Sequence, residues 1–457
     1  MRASLGEVIV TPYGGVEEIG GNKILVQNKK TKNSFFLDFG KSFSVARKYY
    51  EFPFSLPSSI KELIEIGAVP NIPEIYTKNT NSLEGDPKTN VKAVFVSHAH
   101  LDHIGHIPLL NRNIEIYMGE CAKKIVEGLQ TLVIRKTFEN NWENIKIETF
   151  VTGEEIDLDN GDITVKPVHV DHSIPGAYGY IIYIEGKTIS YTGDFRLHGA
   201  TSNLTRDFLR KLEGEEIDVL ITEATRIDMS DYMSEKHVKL LASNVIERSK
   251  NMVILDFSKT DYDRFRTFYE IAKELNRNLV LQPKIAKALE SISKCTHLRN
   301  KVRLTENILI LDEGKKRLSK GEKEVISKNQ DKLITIEEIR KDPEAYMLVY
   351  MVYSGQDIKK INPPKGSIYI LSSSEPVDEE REITFERVLN WLEKYGVAIY
   401  HIHASGHATP LDLRDTVETT QPQFVIPIHT LRPNLVKNFI DGERKWLLPS
   451  AGSPIKI

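Results

Sequence analysis

The sequence lacks the cysteines that a disulfide framework or a cysteine-based zinc site requires. Only Cys121 and Cys295 occur among its 457 residues, which excludes disulfide-rich and zinc-finger folds. No apolar run approaches the roughly 18 residues that cross a bilayer. The chain also opens without the apolar region of a secretory signal. We therefore predict a cytoplasmic protein that has no membrane partner.

Neither sign of charge dominates the sequence. Lys and Arg number 61, Asp and Glu number 64, and the net charge is -3, so charge alone does not indicate a nucleic-acid partner. Hydrophobic residues make up 40% and charged residues 27% of the chain, as in globular proteins, which excludes wholesale disorder and fibrous architecture. The length is about three times that of a typical domain and predicts two domains, or one domain with a large insertion.

Hydrophobic patterning predicts a β-rich first part. Its short β-rich or continuously apolar segments are typical of strands and cover residues 7–13, 22–27, 34–39, 93–96, 164–168, 180–184 and 188–191. Helices are predicted over residues 104–111 and 120–133.

From about residue 230 the pattern changes to alternating strands and helices, which is typical of a parallel α/β sheet. The predicted strands cover residues 253–257, 279–281, 347–352, 368–371 and 397–400. We therefore predict a β-rich unit over residues 1–228, an inserted α/β domain over residues 229–400 and a return to the first unit over residues 401–457.

The strongest chemical signal is SHAHLDHIGH at residues 97–106. It places four imidazoles and one carboxylate directly after a predicted buried strand. Imidazole nitrogen and carboxylate oxygen suit zinc or a similar divalent ion. Because adjacent side chains diverge, His98, His100, Asp102 and His103 do not easily bind a single ion. The pattern favours two neighbouring ions.

Further ligand types follow other predicted strands. His172, Asp194 and His429 each lie just beyond a strand-like segment. Taken singly, a histidine there is commonly a surface residue, but together with residues 97–106 these side chains complete two coordination shells. Asp38, another acid at a strand end, is predicted to orient ligands and not to bind an ion itself.

This set of residues resembles the metallo-β-lactamase superfamily, whose signature His-x-His-x-Asp-His is followed by a later His, Asp and His. The resemblance implies an α/β fold, an αββα sandwich with the metals at one edge. It also implies two zinc ions per chain. The implied ligands are His98, His100 and His172 for one ion, Asp102, His103 and His429 for the other, and Asp194 for both.

The 235 positions from Asp194 to His429 contain the predicted α/β insertion. Glu223, at the end of an apolar segment, and the loop HASGH at residues 403–407 bracket the insertion. With His429 they resemble the acid, His and His motifs of the β-CASP nucleases. The segment GGVEEIGGN at residues 14–22 is similar to the opening of the ribonuclease J group. The resemblance implies a sandwich with an inserted β-CASP domain.

The sequence departs from the ribonuclease J pattern in three places. It ends shortly after the last motif, so we expect it to lack the C-terminal domain that supports dimerisation, and a homodimer is left open. His429 precedes Thr430 and Leu431 where a Gly-Glu pair is common. The stretch from Asp38 to His98 is long. Its aromatics suit either stacking on nucleic acid or packing within the stretch: Phe43, Tyr49, Tyr50, Phe52, Phe54 and Tyr76.

The resemblance also implies catalytic roles. His407 is expected to act as general acid for the departing 3′ oxygen, with Glu223 orienting it and keeping it protonated. Asp102 is predicted to be a catalytic residue as well as a ligand.

A terminal phosphate is predicted to bind His403, Ser405 and the backbone around Gly406. Ser373, within residues 372–374, either adds a hydroxyl donor or belongs to a helix N-cap. A basic stretch from Lys284 to Arg303 either follows an RNA backbone or forms a solvated helix face.

The leading hypothesis is a zinc-dependent, 5′-to-3′ exoribonuclease that prefers single-stranded RNA with a 5′-monophosphate, with endonuclease activity left open. The alternatives are a DNA nuclease of the same fold and an RNA-processing endonuclease resembling the cleavage and polyadenylation nuclease. A hydrolase of thioesters or lactams and a non-catalytic RNA-binding subunit are also considered. DNA-specific relatives tend to carry an apolar residue at the last motif, so His429 favours RNA.

Overall fold

The structure is a computed structural model. It describes residues 8–51, 54–77, 88–158, 161–229, 232–298, 301–305, 307–315, 317–373, 379–440 and 445–457.

The described strands are, in chain order, β1 (Val8–Gly14), β2 (Lys23–Asn28), β3 (Ser34–Leu37), β4 (Val91–Val96), β5 (Glu115–Gly119), β6 (Ile147–Phe150), β7 (Ile156–Leu158), β8 (Ile163–Val170), β9 (Ala177–Ile184), β10 (Lys187–Tyr191), β11 (Val219–Glu223), β12 (Val253–Asp256), β13 (Asn278–Leu281), β14 (Ile308–Asp312), β15 (Leu333–Thr335), β16 (Tyr346–Val349), β17 (Ile368–Leu371), β18 (Ala398–His401), β19 (Phe424–Ile428), β20 (Lys445–Trp446) and β21 (Ile455–Lys456).

The described α-helices are α1 (Phe43–Arg47), α2 (Ile60–Glu65), α3 (Leu101–Ile104), α4 (Glu120–Gln130), α5 (Asn203–Glu213), α6 (Glu235–Arg248), α7 (Tyr262–Glu274), α8 (Pro283–Ile292), α9 (Lys320–Lys328), α10 (Ile336–Lys341), α11 (Gly355–Ile361), α12 (Glu379–Tyr395), α13 (Pro410–Thr420) and α14 (Pro433–Phe439). Among the described residues, no helix combines the length and apolar character that crossing a membrane requires.

Two sheets pack face to face to form a sandwich. Their strand orders are β21-β1-β2-β3-β4-β5-β6 and β20-β19-β11-β10-β9-β8-β7. Apolar side chains from both sheets, such as Phe95 and Tyr180, share one buried core. Helices α2 and α4 cover the outer face of the first sheet, while α5, α13 and α14 cover the second. This confirms the expected αββα sandwich.

A third sheet has the order β15-β14-β13-β16-β12-β17-β18, and all its strands run parallel. Apolar clusters cover both of its faces, as a parallel sheet requires. Its carboxyl edge continues from β18 into residues 402–409, which lead back to the sandwich at α13. The domain boundaries at residues 228/229 and 400/401 stay predictions.

The helix predicted over residues 104–111 is wrong. Helix α3 ends at Ile104, and a single 3₁₀ turn follows at Ile107–Leu109. Pro108 cannot donate a backbone hydrogen bond within a continuing helix, and the turn's side chains are buried on all sides. The apolar spacing there reflects burial of a turn.

The aromatic residues between Asp38 and His98 have mixed environments. Tyr76 is buried and its hydroxyl donates to the Pro70 carbonyl at 2.6 Å. Phe54 is 84% exposed and Tyr49 is 63% exposed, whereas Phe52 lies outside the described residues. Tyr76 packs within its own stretch, while Tyr49 and Phe54 are free to contact another molecule.

Candidate metal centre and active site

The candidate site lies where strands of the sandwich end. Strands β10, β11 and β19 run parallel and are adjacent, so Asp194, Glu223 and His429 reach the same edge. Strand β4 brings residues 97–103 to that edge from the opposing sheet, and β8 brings His172. Five separate chain segments therefore meet at one place, each just beyond or at the end of a strand.

Three histidines form the first cluster. His98 Nε2 lies 3.0 Å from His100 Nδ1, and His172 Nε2 lies 3.2 Å from the same nitrogen. Zinc–nitrogen bonds of about 2.0–2.1 Å separate two ligand atoms of a tetrahedron by about 3.3–3.4 Å. The observed separations are close to that spacing, so a single ion fits among the three nitrogens.

The second cluster contains Asp102, His103, Asp194 and His429. Asp102 Oδ2 lies 3.2 Å from His429 Nε2, and Asp194 Oδ2 lies 3.1 Å from His103 Nε2. The same Asp194 oxygen is 3.8 Å from His98 Nε2 in the first cluster. Its position between the clusters suits a carboxylate shared by two ions.

Buried polar atoms point to a bound cation. Asp194 Oδ1 is buried and has no hydrogen-bond partner among the described residues, and the buried His103 Nε2 faces only the carboxylates of Asp194 and Asp102. Leaving an atom such as Asp194 Oδ1 unpaired costs about 1–3 kcal/mol. A divalent cation satisfies both, so the residues present fit a metal centre.

The histidines of the first cluster are held neutral. Burial, together with the surrounding imidazoles, lowers the pKa of His98 and of His172 well below the usual value. Burial also lowers the pKa of His100 to about 4. Metal binding requires deprotonated ring nitrogens, so these side chains are in the state that coordinates a metal.

Asp38 orients His103 by contacting the ring nitrogen that faces away from the second cluster. Its Oδ2 lies 2.8 Å from His103 Nδ1 and accepts hydrogen bonds from Tyr191 Oη at 2.6 Å and Ser97 Oγ at 2.8 Å. With Nδ1 held by the carboxylate, Nε2 of His103 is the nitrogen that faces the cluster. This contact is the one expected for a residue that orients a ligand.

The glycine-rich segment at residues 14–22 packs against the ligand loop. Gly20 has φ +85°, and a Cβ there lies 2.7 Å from the Asp102 Cβ. A Cβ on Gly40 lies 1.6 Å from the Asp102 carbonyl oxygen. Only glycine permits this close approach, which explains why the glycines accompany the metal motif.

Glu223 and His407 form a pair beside the second cluster. Glu223 Oε1 lies 3.3 Å from His407 Nδ1, and Asp194 Oδ2 lies 3.7 Å from the same nitrogen. Burial lowers the pKa of His407, but Glu223 and Asp194 outweigh it and raise the pKa to about 9. His407 therefore carries a proton at neutral pH.

Thr225 was not predicted as a site residue. Its hydroxyl donates to Glu223 Oε2 at 2.5 Å and lies 2.8 Å from His429 Nδ1 and 3.2 Å from His407 Nδ1. It connects the acid of the pair with a metal-ligand histidine. Its position two residues after Glu223, in the same motif, is the only signal that the sequence offers.

The loop at residues 403–407 is hydrogen-bonded to His172 of the first cluster. His172 Nδ1 donates to the Gly406 carbonyl at 2.5 Å. Since a carbonyl only accepts, the bond places the ring proton on Nδ1 and leaves Nε2 free to coordinate. The metal centre and the loop that carries His407 are thus directly connected.

A buried arginine joins this loop to both domains. Arg196 donates to the Ser405 carbonyl at 3.1 Å and contacts Asp263 at 2.7 Å, Glu235 at 3.2 Å and Asp171 at 3.4 Å. Asp171 precedes a metal ligand, while Glu235 and Asp263 lie on α6 and α7. The guanidinium is fully buried, so these carboxylates compensate its positive charge.

A second buried arginine holds the start of the loop. Arg264 contacts Glu235 at 3.0 Å and donates to the Ala404 carbonyl at 3.1 Å and to Ser372 Oγ at 2.6 Å. Burial and this neighbouring cation lower the pKa of His403 to about 2. His403 is therefore neutral at physiological pH.

The predicted phosphate-binding groups have other partners. His403 Nδ1 lies 3.2 Å from the guanidinium of Arg264, and Ser405 Oγ accepts from the His407 backbone N–H at 3.2 Å. Ser373 is partly exposed, and its carbonyl lies 3.0 Å from His401 Nε2. Ser374 lies outside the described residues. Hydroxyl hydrogens remain available to a ligand. None of these groups is a free cation, so the phosphate pocket stays a prediction.

Comparison with known proteins agrees with this geometry. Residues 67–252 match the β-lactamase superfamily domain, a segment that contains every proposed metal ligand except His429. The chain is 24% identical over 363 residues to Ribonuclease J of Mycoplasma genitalium, which covers 75% of this chain and 58% of that protein. It is 25% identical over 434 residues to Ribonuclease J of Methanocaldococcus jannaschii, covering 92% of this chain and 90% of that protein.

A crystal structure of a protein of unknown function from Enterococcus faecalis superposes with a TM-score of 0.76 at 24% identity, covering 98% of this chain and all of that one. This likeness shows the fold. Residues 67–252 thus resemble the β-lactamase superfamily domain. The resemblance of the chain to the β-CASP ribonuclease J group is confirmed. The chain spans 58% of the length of the Mycoplasma relative.

We predict that Asp194→Ala loses metal from both clusters, because its carboxylate faces ligands of each. Metal content per chain, measured by inductively coupled plasma mass spectrometry after reconstitution, checks this. Asp207→Ala, which removes an exposed carboxylate on α5, is the control and should keep the wild-type content. Full metal content in Asp194→Ala would contradict the assignment.

We predict that Arg196→Met destabilises the fold by about 3–5 kcal/mol, since it leaves buried carboxylates unpaired. The free energy of unfolding in a denaturant titration measures this. Arg210→Met, at an arginine whose side chain is 70% exposed, should change it by less than about 0.5 kcal/mol. If Arg196→Met and Arg210→Met both changed the free energy of unfolding by a similarly small amount, the buried network would contribute no stability.

Proposed function

We propose that the protein is a cytoplasmic, zinc-dependent ribonuclease that hydrolyses phosphodiester bonds in RNA. The observation that carries the proposal is the contact of His407 with both Glu223 and Asp194 at the edge of the metal centre. This contact supports a role for His407 as a protonated general acid beside the ligand clusters. Relatives named Ribonuclease J support RNA as the substrate, and two reduced cysteines are consistent with the cytoplasm.

Two zinc ions are proposed for each chain. The residues that would hold them are His98, His100 and His172 for the first, Asp102, His103 and His429 for the second, and Asp194 for both. When bound, such ions supply Lewis acidity toward phosphoryl oxygens and lower the pKa of a water molecule.

The protein's own side chains supply the proton chemistry. Breaking the phosphodiester leaves a charge on the 3′ oxygen, which a positioned acid neutralises. With Nδ1 of His407 turned to Glu223, Nε2 is the nitrogen left to donate. Glu223 is fully buried and also accepts from the Ala408 N–H at 3.1 Å, which fixes its orientation. It therefore keeps His407 both oriented and charged.

We also propose 5′-to-3′ exonuclease action on single-stranded RNA, with a preference for a 5′-monophosphate. The loop at residues 403–407 connects the inserted sheet to the metal centre, so an end bound there lies near the reacting bond. A terminal phosphate carries nearly two charges and three acceptor oxygens, which suits the hydroxyl of Ser405. The absence of a free cation among the predicted contacts makes hydroxyl and backbone donors the expected means of recognition.

We predict that His407→Ala slows RNA cleavage by about 10²–10⁴-fold while metal content stays near that of the wild type. Single-turnover cleavage rates and metal analysis on the same preparations check this. His297→Ala, at an exposed histidine, serves as the control. Loss of metal would make His407 a ligand, and an unchanged rate would remove it from catalysis.

We predict that RNA with a 5′-monophosphate is degraded faster than RNA with a 5′-hydroxyl or 5′-triphosphate end. The hydroxyl end loses the phosphate contacts, and the triphosphate is too large for a closed pocket. Single-stranded RNA labelled at its 3′ end, with matched DNA, measures rate and direction together. Equal rates for the three ends, or shortening from the 3′ end, would contradict the pocket.

A further inference from the structure

The basic stretch that begins at Lys284 separates into two parts in the structure. Lys287 is buried and paired with Glu290 at 2.8 Å and Glu324 at 2.9 Å. Lys284 lies over the Tyr353 ring, 4.2 Å from its centroid. These first lysines therefore have partners within the protein and serve its packing.

The end of the stretch has a different environment. Lys301 and Arg303 line a surface cavity of about 450 Å³ together with Arg266 and Lys273 of α7. Glu270 is the one carboxylate in the described lining. This local excess of positive charge occurs in a chain whose net charge is -3, so it is a concentrated feature of this surface.

The carboxylate in the cavity pairs with Arg266 but with none of the other three cations. Glu270 lies 3.0 Å from Lys239 and 3.7 Å from Arg266. Within the described part of the chain, Lys273, Lys301 and Arg303 have no ion pair. Three cations therefore face the cavity with their charge uncompensated.

The cavity is held in shape by hydrogen bonds. The Tyr262 hydroxyl accepts from the Val302 N–H at 2.8 Å, and the Tyr269 hydroxyl lies 3.2 Å from Thr305 Oγ1. Lys332 donates to the Thr305 carbonyl at 3.1 Å. The segment that carries Lys301 and Arg303 is thus fastened to α7, and the cations keep a fixed spacing.

A second cavity of mixed charge lies beside the first, lined by Lys236, Lys239 and Arg266 together with Glu235, Asp263 and Glu270. It has a volume of about 520 Å³ and reaches His198 at the edge of the sandwich. His198 donates to the Ser405 carbonyl at 3.0 Å, on the loop that carries His407. The cation-lined cavity is therefore adjacent to a cavity that leads to the loop carrying His407.

We propose that the cavity lined by Arg266, Lys273, Lys301 and Arg303 binds the sugar–phosphate backbone of single-stranded RNA outside the catalytic cleft. Arginine and lysine are the side chains that bind phosphates, and spaced cations follow a backbone without reading its sequence. This inference rests on the proposed ribonuclease function. It adds a second contact for substrates longer than the catalytic site alone accommodates.

The test is the double charge reversal Lys301→Glu/Arg303→Glu. Binding of a fluorescent single-stranded RNA of about 20 nucleotides is measured by anisotropy with zinc-loaded protein, and His407→Ala is added to every protein compared so that cleavage is negligible during the measurement. We expect the Kd to rise at least about tenfold. The slope of log K against log salt should fall by about 1.4, at about 0.7 for each lost phosphate contact on a single strand.

The matched control is Lys320→Glu/Lys323→Glu, which makes the same charge change at exposed lysines of α9 in the inserted domain. It should leave the Kd within about twofold and the slope unchanged, since RNA affinity follows the number of phosphates contacted. Far-UV circular dichroism of both variants checks folding. An unchanged Kd in the cavity variant, or an equal loss in the control, would overturn the proposal.

Two further measurements distinguish a small-anion site from an RNA site, and this proposal from the proposed function. If the cavity variant loses binding of inorganic phosphate but keeps RNA binding, the cavity is a small-anion site and the proposal is wrong. Cleavage of an RNA of about 4 nucleotides by the zinc-loaded cavity variant that retains His407 should match the wild type. If wild-type protein binds the long RNA through the cavity but cleaves no RNA, the proposed function fails while this site stands.

Discussion

The buried carboxylate of Asp194 is the constraint on which the site depends. Its Oδ2 lies within 3.1–3.8 Å of four histidine nitrogens, contributed by His98, His103, His407 and His429. Burial raises the pKa of Asp194, but His103, His429 and His407 hold it well below the usual value. A charge removed from water in this way must be compensated, and the surrounding ligand clusters provide that compensation.

The inserted domain reaches this centre through backbone carbonyls. The carbonyls of Ala404, Ser405 and Gly406 accept from Arg264, Arg196 and His172 respectively. One end of this connection is His172 of the first histidine cluster, and the other is a buried ion network on α6 and α7. The position of the loop that carries His407 is therefore set by contacts from the sandwich and from helices beside the third sheet.

The sequence predicts which side chains cluster at the candidate metal centre because each one is encoded locally. His98, Asp194 and His429 follow apolar segments that are readable as strands, and parallel neighbours bring strand ends together. Hydrophobic patterning predicts the β-rich first part and the parallel third sheet, whereas the αββα sandwich was implied by the resemblance to the metallo-β-lactamase superfamily. The turn at Ile107–Leu109 was missed because burial on all sides imitates a helical stripe.

What the sequence does not reveal is long-range pairing of charges. Arg196 meets Glu235 and Asp263 from helices of the inserted domain, and nothing in the spacing of these residues predicts that they are buried together. The sequence likewise does not distinguish Lys301 and Arg303 from the other cations of the basic stretch. The structure shows which lysines already have partners within the protein. Thr225 was missed because a threonine beside an acid has no distinctive pattern.

The central claim is that seven side chains form one two-ion centre around Asp194. The most direct measurement is a crystal structure of zinc-reconstituted protein, with diffraction data recorded on both sides of the zinc absorption edge. A two-ion centre should give two anomalous peaks, one among His98, His100 and His172 and one among Asp102, His103 and His429. The Asp194 carboxylate should contact both. A single peak, or peaks away from these residues, would contradict the two-ion centre.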